Sequence, residues 1–138
     1  MERKQLKQIR DYFKDNKKIS AVYLFGSTAK AAEKKGSDID IAVLLNPGIN
    51  PYKPTDIQLR IMSDLETLLK KRVDVVLLGT ADPILEHQIR KHGMILVDKA
   101  PEFRIDYVVE SRKKYFDFLY RHNNYMKTLK NRILQTAK

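Results

Sequence analysis

The stretch Ser37-Asp38-Ile39-Asp40-Ile41-Ala42-Val43-Leu44-Leu45 sets two carboxylates into an otherwise apolar, β-branched run. Its composition predicts a strand over Asp38–Leu45. Successive side chains of a strand leave on opposite faces, so Asp38 and Asp40 share one face while Ile39 and Ile41 point the other way, into a core. Two anions held side by side repel each other, and a hard divalent cation is the natural compensation. Mg²⁺ takes one or two carboxylates and leaves its other positions to water and phosphate oxygens.

The flanking sequence supplies the rest of a small fold. Upstream, Ile19–Phe25 (ISAVYLF) reads as a strand that Gly26-Ser27 stops. Thr28–Lys35 is helix-forming and ends at Gly36, a suitable C-terminal cap. Before the first strand, Leu6, Ile9, Tyr12 and Phe13 recur at helical spacing within Glu2–Asn16. Downstream, Asn46–Pro54 holds three prolines and a glycine and reads as a loop. Thr55 is placed as the N-cap of a helix to about Lys71, with Ile57, Ile61, Leu65, Leu68 and Leu69 on one face. Val73–Leu78 is a third strand. Asp82-Pro83 opens a helix that ends near His92-Gly93, with Pro83 in the first turn where its missing N–H costs nothing. Met94–Val97 is a short apolar run, read as a fourth strand. From about Glu102 to residue 136 one long helix is expected. Its apolar residues recur in two registers, Ile105, Leu119, Met126 and Ile133 in one and Val108, Tyr115 and Leu129 in the other, interrupted by Arg112 and His122. Such alternation of helices and strands predicts an α/β fold of a small sheet packed by helices. Strand order and direction do not follow from the pattern.

The chain has 138 residues, which suits one domain over 1–138. Hydrophobic residues are 43% and charged residues 32%, enough for both a core and a soluble surface. There is no Cys, so no disulfide scaffold, and no apolar stretch long enough to span a bilayer. The start, MERKQLKQIRDYF, lacks the apolar core of a signal peptide, so a cytoplasmic location is expected. The net charge is +10, and it is uneven: Arg112–Lys138 holds eight basic residues and one acidic, Asp117. A basic tail implies an acidic partner, a nucleic acid or a membrane surface, or else a solvated helix face. The basic residues are not interleaved with an aromatic RNA-reading motif, so nucleic-acid binding is not expected.

Two further elements join the carboxylate pair. Gly26-Ser27 follows a strand and precedes a helix; glycine lets a backbone approach a ligand closely, and a serine with a helix N-terminus donates to phosphate. Asp74 is a third acid in an apolar strand. If that strand lies beside the second, Asp74 completes a cluster of three carboxylates, able to hold two metal ions about 3.5–4 Å apart. Paired only with Arg72, it would be an ordinary surface acid. The order of strand, Gly-Ser, helix and acid-bearing strand describes a nucleoside triphosphate site with metal.

With these residues in place, Leu24-Phe25-Gly26-Ser27, ten residues, then Asp38-Ile39-Asp40-Ile41-Ala42-Val43 resembles the signature of the minimal nucleotidyltransferases of the DNA polymerase β superfamily. Asp74 sits where that family carries its third acid. The resemblance covers roughly residues 19–98 and extends loosely to the helical tail. It implies a nucleotidyltransferase fold with a small mixed sheet, and transfer of AMP from Mg²⁺-ATP with pyrophosphate leaving. By the same resemblance Gly26 and Ser27 hold the triphosphate. Asp38 and Asp40 bind two Mg²⁺ ions, and Asp74 binds the catalytic ion and helps activate the attacking hydroxyl. Small stand-alone members are commonly antitoxins paired with a HEPN-domain ribonuclease toxin, which they silence by attaching AMP to a tyrosine. The resemblance therefore implies a HEPN toxin as partner, reached through the C-terminal helix. Neutralisation by binding alone, and transfer to a small molecule such as an aminoglycoside, are the alternatives. One departure is that Ala31 stands where many relatives carry glycine. Lys30, Lys34 and Lys35 are either solvent-facing or within reach of phosphate.

The remaining polar residues suggest structural roles. His87 and His92 are five apart, off the face a zinc helix uses, and read as surface or capping residues. His122 falls on the apolar stripe, as do the tyrosines at 107, 115, 120 and 125, all expected to pack.

Overall fold

The computed structural model describes residues 2–26, 38–49 and 55–136. Its elements run α1 (Arg3–Lys14), β1 (Ile19–Phe25), β2 (Ile39–Leu45), α2 (Thr55–Leu69), β3 (Val73–Leu77), α3 (Pro83–His92), β4 (Met94–Asp98) and α4 (Pro101–Thr136). The expected helix over Thr28–Lys35 lies outside the described residues, as do Ser27, Ala31 and the lysines at 30, 34 and 35.

β1 and β2 are apolar along nearly their whole length because they are buried on both faces at the centre of the sheet. The order is β3-β2-β1-β4. β1 pairs antiparallel with β2 and with β4, whereas β2 and β3 are parallel. A parallel neighbour requires a crossover, and α2 supplies it. The sheet is therefore mixed, as the resemblance implied.

Alternation divides the core into two layers. On one face Ile39, Ile41 and Val43 join Val22, Leu24, Val73 and Val75 under Ile9 and Phe13 of α1 and Ile61 and Leu65 of α2. Each such fully buried Leu, Ile or Phe contributes about 1.5–3 kcal/mol over leaving it in water. The other face carries smaller residues, with Ala21, Tyr23, Ala42 and Leu44 under Ile89 and Leu85 of α3 and Phe103 and Tyr107 of α4. Helix side chains bond to backbone groups on both edge strands, which blunts them as templates for pairing with another chain. From α2, Glu66 accepts from the Val73 N–H at 3.2 Å and Gln58 donates to the Val75 carbonyl. From α1, Arg10 Nε donates to the Leu96 carbonyl at 3.3 Å.

α3 begins as its sequence predicts. Asp82 is the N-cap and accepts from the Leu85 N–H at 2.9 Å, with Pro83 in the first turn. α4 runs for 36 residues, about 54 Å at 1.5 Å per residue. Its buried line differs from the expected one: Phe103, Tyr107 and Ser111 face the body, whereas Ile105 is 51% exposed and faces outward. Phe103 and Tyr107 are four apart and Ile105 lies between them, so a helix that buries the pair must turn Ile105 away. Tyr120 and Tyr125, expected to pack, are likewise exposed. His122 is exposed too, stacking only on Phe118 of its own helix. No helix among the described residues is long and apolar enough to cross a membrane.

Candidate active site

Strand register brings the acids together. Asp40 pairs with Asp74 across the parallel β2–β3 ladder, and on the other side Phe25 pairs with Asp40. Ile39 and Val73, paired one step earlier, are fully buried. Alternation then puts Asp40 and Asp74 together on the opposite face, the one shared with Ala42 and Leu44. Asp38 precedes β2 by one residue and is half-buried, as is Asp40; Asp74 is exposed. Parallel pairing of β2 with β3 thus answers the question the sequence left open about Asp74.

Gly26 closes the third side. It follows Phe25 directly and has φ +71°. A Cβ built there would lie 2.3 Å from Oδ2 of Asp40 and 3.1 Å from its Cγ. Glycine is required twice, for the left-handed backbone and for the space the Asp40 carboxylate occupies. Residue types alone point to phosphate approach at this position; the geometry adds that the Asp40 carboxylate occupies the space a side chain would need.

Electrostatics follow from this crowding. The Asp40 carboxyl titrates above the usual aspartate range because burial removes water from it, and because the charges of Asp74 and Asp38 oppose its ionisation. Among the described residues, no three acid, imidazole or thiol side chains converge as a ready metal cage. What the site offers is a carboxylate pair in register with a third carboxylate beside it. That donor set suits Mg²⁺, a hard ion that needs one or two carboxylates and shares its remaining positions with substrate oxygens. Ser27 lies outside the described residues.

A polar network below the site was not legible in the sequence. Glu86 on α3 is only 5% exposed. It accepts from the Gly79 N–H at 2.9 Å, from the Tyr107 hydroxyl and from the Ser111 hydroxyl. Arg90 donates to Ser111. These bonds fasten α4 to α3 and to the turn after β3. Glutamate in a helix ordinarily signals a solvent face, so nothing in its local sequence marks Glu86 as buried. His87, expected at the surface, stacks on Tyr115 at 3.9 Å between ring centroids.

The family model for polymerase beta nucleotidyltransferases matches residues 7–102. This chain belongs to that family. Asp40 and Asp74, on two parallel neighbouring strands, and Gly26, at the end of β1, all lie within the matched region. No curated protein matches the chain. Its fold is similar to several solved structures. A chain of a toxin–antitoxin complex with AMP-PNP has 24% identity and a TM-score of 0.74, over 90% of this chain and 97% of that one. A complex of a tri-AMPylated HEPN toxin with an MNT antitoxin, from Shewanella oneidensis, has 23% identity and a TM-score of 0.72, over 94% and 98%. A MntA–HepT toxin–antitoxin complex has 22% identity and a TM-score of 0.71, over 93% and 98%. The likeness takes in α4 as well as the sheet, so the nucleotidyltransferase fold here includes the long C-terminal helix.

Proposed function

We propose that this nucleotidyltransferase is an antitoxin that transfers AMP from Mg²⁺-ATP to a tyrosine hydroxyl of a cognate HEPN toxin. The observation that carries the reading is the Asp40–Asp74 register, with the Asp40 carboxylate filling the space beside Gly26. The neighbours support the finer points: one holds an ATP analogue and another an AMP-modified HEPN toxin.

In this reading Asp38, Asp40 and Asp74 would hold the Mg²⁺ ions. Bound there, the ions would neutralise charge developing on the phosphates. Gly26 and Ser27 orient the triphosphate, the glycine by letting the backbone come close. Asp74, exposed at the edge of the cluster, is the carboxylate an incoming acceptor reaches first, and it takes the proton of the attacking hydroxyl. The new bond joins the tyrosine oxygen to the α-phosphorus, the α–β phosphoanhydride breaks, and pyrophosphate leaves. Positioning and charge stabilisation supply most of the rate for such a transfer.

Intact-mass analysis of the toxin co-expressed with this chain tests the reading. Wild type should add whole AMP units, and the Asp38→Asn/Asp40→Asn double variant none. Unchanged modification by that variant would show the carboxylate pair to be irrelevant. A second reading, neutralisation by binding alone, is favoured by the exposed apolar residues of α4. It predicts an unmodified toxin in a stable complex with either form.

A further inference from the structure

Asp74 occupies an exposed position on an edge strand. β3 is the outermost strand of the sheet, with β2 as its neighbour, and Asp74 is its second residue. Strand ends and edges are where pairing opens first. Register is nevertheless decisive here, because a slip of one residue would send Asp74 to the opposite face, away from Asp40. The ladder to β2 holds β3 from one side alone. At its two ends the Ile39 N–H donates to the Arg72 carbonyl and the Leu78 N–H to the Val43 carbonyl, each at 2.9 Å. The even-numbered peptide groups of β3 therefore face β2, and the odd-numbered ones, on either side of Asp74, face the open edge.

Side chains of α2 occupy that edge. The Glu66 carboxylate accepts from the Val73 N–H at 3.2 Å, and the Gln58 amide donates to the Val75 carbonyl. Val73 and Val75 are the residues immediately before and after Asp74. Both bonds are made to backbone, so they constrain the strand itself. Beyond them the Leu77 carbonyl accepts from Thr80, from its N–H at 3.2 Å and its hydroxyl at 2.7 Å. Glu66 also spans the turn that leads into β3: its carbonyl accepts from the Lys70 N–H at 2.9 Å while its carboxylate reaches Val73. Lys70, inside that turn, has φ +55°, a left-handed backbone that L side chains seldom adopt. A strained residue of this kind persists only where its surroundings over-determine it.

We propose that Glu66 and Gln58 are positioning residues for Asp74: from α2 they clamp the open edge of β3 on either side of it and so hold its carboxylate beside that of Asp40. Both act through the backbone of β3 and leave the chemistry to the acids. Losing either bond frees the start of the strand, and the two carboxylates then no longer keep a fixed separation for the metal ions. This inference rests on the proposed function in taking Asp74 as an acid of the transfer site.

Glu66→Ala and Gln58→Ala each remove one bond of the clamp. With the cognate toxin as acceptor, each should lower kcat for AMP transfer about tenfold and leave KM for toxin within about twofold. Glu66→Gln keeps a carbonyl acceptor for the Val73 N–H and should recover most of the lost rate. Mg²⁺-ATP affinity, read by titration calorimetry, should fall in both alanine variants, and should fall no further when Glu66→Ala is added to Asp74→Asn. Amide hydrogen exchange of the chain alone, followed by NMR, reads the clamp without the chemistry: the Val73 and Asp74 amides should exchange about tenfold faster in Glu66→Ala. Thr67→Ala, whose hydroxyl bonds within α2 to the Ser63 carbonyl, is the control and should leave exchange and kcat unchanged. Unchanged exchange in Glu66→Ala, or faster exchange with kcat and Mg²⁺-ATP affinity unchanged, would overturn the positioning role. A wild type that transfers no AMP would refute the proposed function alone, and exchange with Mg²⁺-ATP affinity would still decide the clamp.

Discussion

Replacing Gly26 with alanine separates backbone strain from damage to the acid it touches. The residue holds φ +71°, where an L side chain costs about 1–2 kcal/mol. The added Cβ would also meet Asp40 Oδ2 at 2.3 Å. Ordinary carbon–oxygen contact lies about 1 Å further out, so the carboxylate must move by roughly that distance. A misplacement of about 1 Å at a reacting group can cost about 10²-fold in rate. Gly26→Ala should therefore lower kcat/KM for AMP transfer about 10²-fold and weaken Mg²⁺-ATP binding. Gly48 provides the control, since it has φ +90° with nothing within 4 Å of its Cβ. Gly48→Ala should bear a similar strain, with Tm falling about 3–8 °C, and keep its activity. The assays are thermal unfolding, calorimetric titration with Mg²⁺-ATP and transfer of labelled AMP. If Gly26→Ala matched Gly48→Ala in both activity and nucleotide affinity, the contact between Gly26 and Asp40 would have no part in function.

Asp40→Asn should abolish transfer yet raise Tm in chelator at pH 7. The folded-state pKa of Asp40 lies above its unfolded value, so the fold is favoured at low pH and loses stability as pH rises through the window above 3.8; asparagine flattens that loss. Added Mg²⁺ should raise the wild-type Tm and leave that of the Asp38→Asn/Asp40→Asn variant unmoved. Tyr107→Phe removes a hydroxyl donated to buried Glu86 and should cost about 1.5–3 kcal/mol in urea unfolding, since the acceptor is charged. Leu65→Ala, in the fully buried layer under α2, should cost about 2–5 kcal/mol and sharply reduce the folded yield.

Much of the scaffold is legible in local sequence because the deciding forces are local. The run Ile19–Phe25 is apolar throughout and is a strand over those same residues. Asp82-Pro83 starts α3 because a side-chain cap and a locked φ act within one turn. The two-residue period of β2 likewise sends Asp40 to the face opposite Ile39 and Ile41 whatever surrounds it. Ile105 shows where this stops. Its heptad place suggested packing, but the orientation of α4 is set by the Glu86 network and by Phe103 and Tyr107, residues whose partners lie on other elements.

The sequence by itself determined the helices and strands found among the described residues, and that Asp40 and Gly26 end up near strand ends, since these depend on neighbours a few residues away. Only the tertiary structure decided that β3 runs parallel beside β2, so that Asp74 comes into register with Asp40, and that a Cβ at Gly26 would collide with the Asp40 carboxylate. The physical reason is the same in each case. Residues 34 apart meet only through strand pairing and a crossover helix, which a local pattern of residue types does not encode.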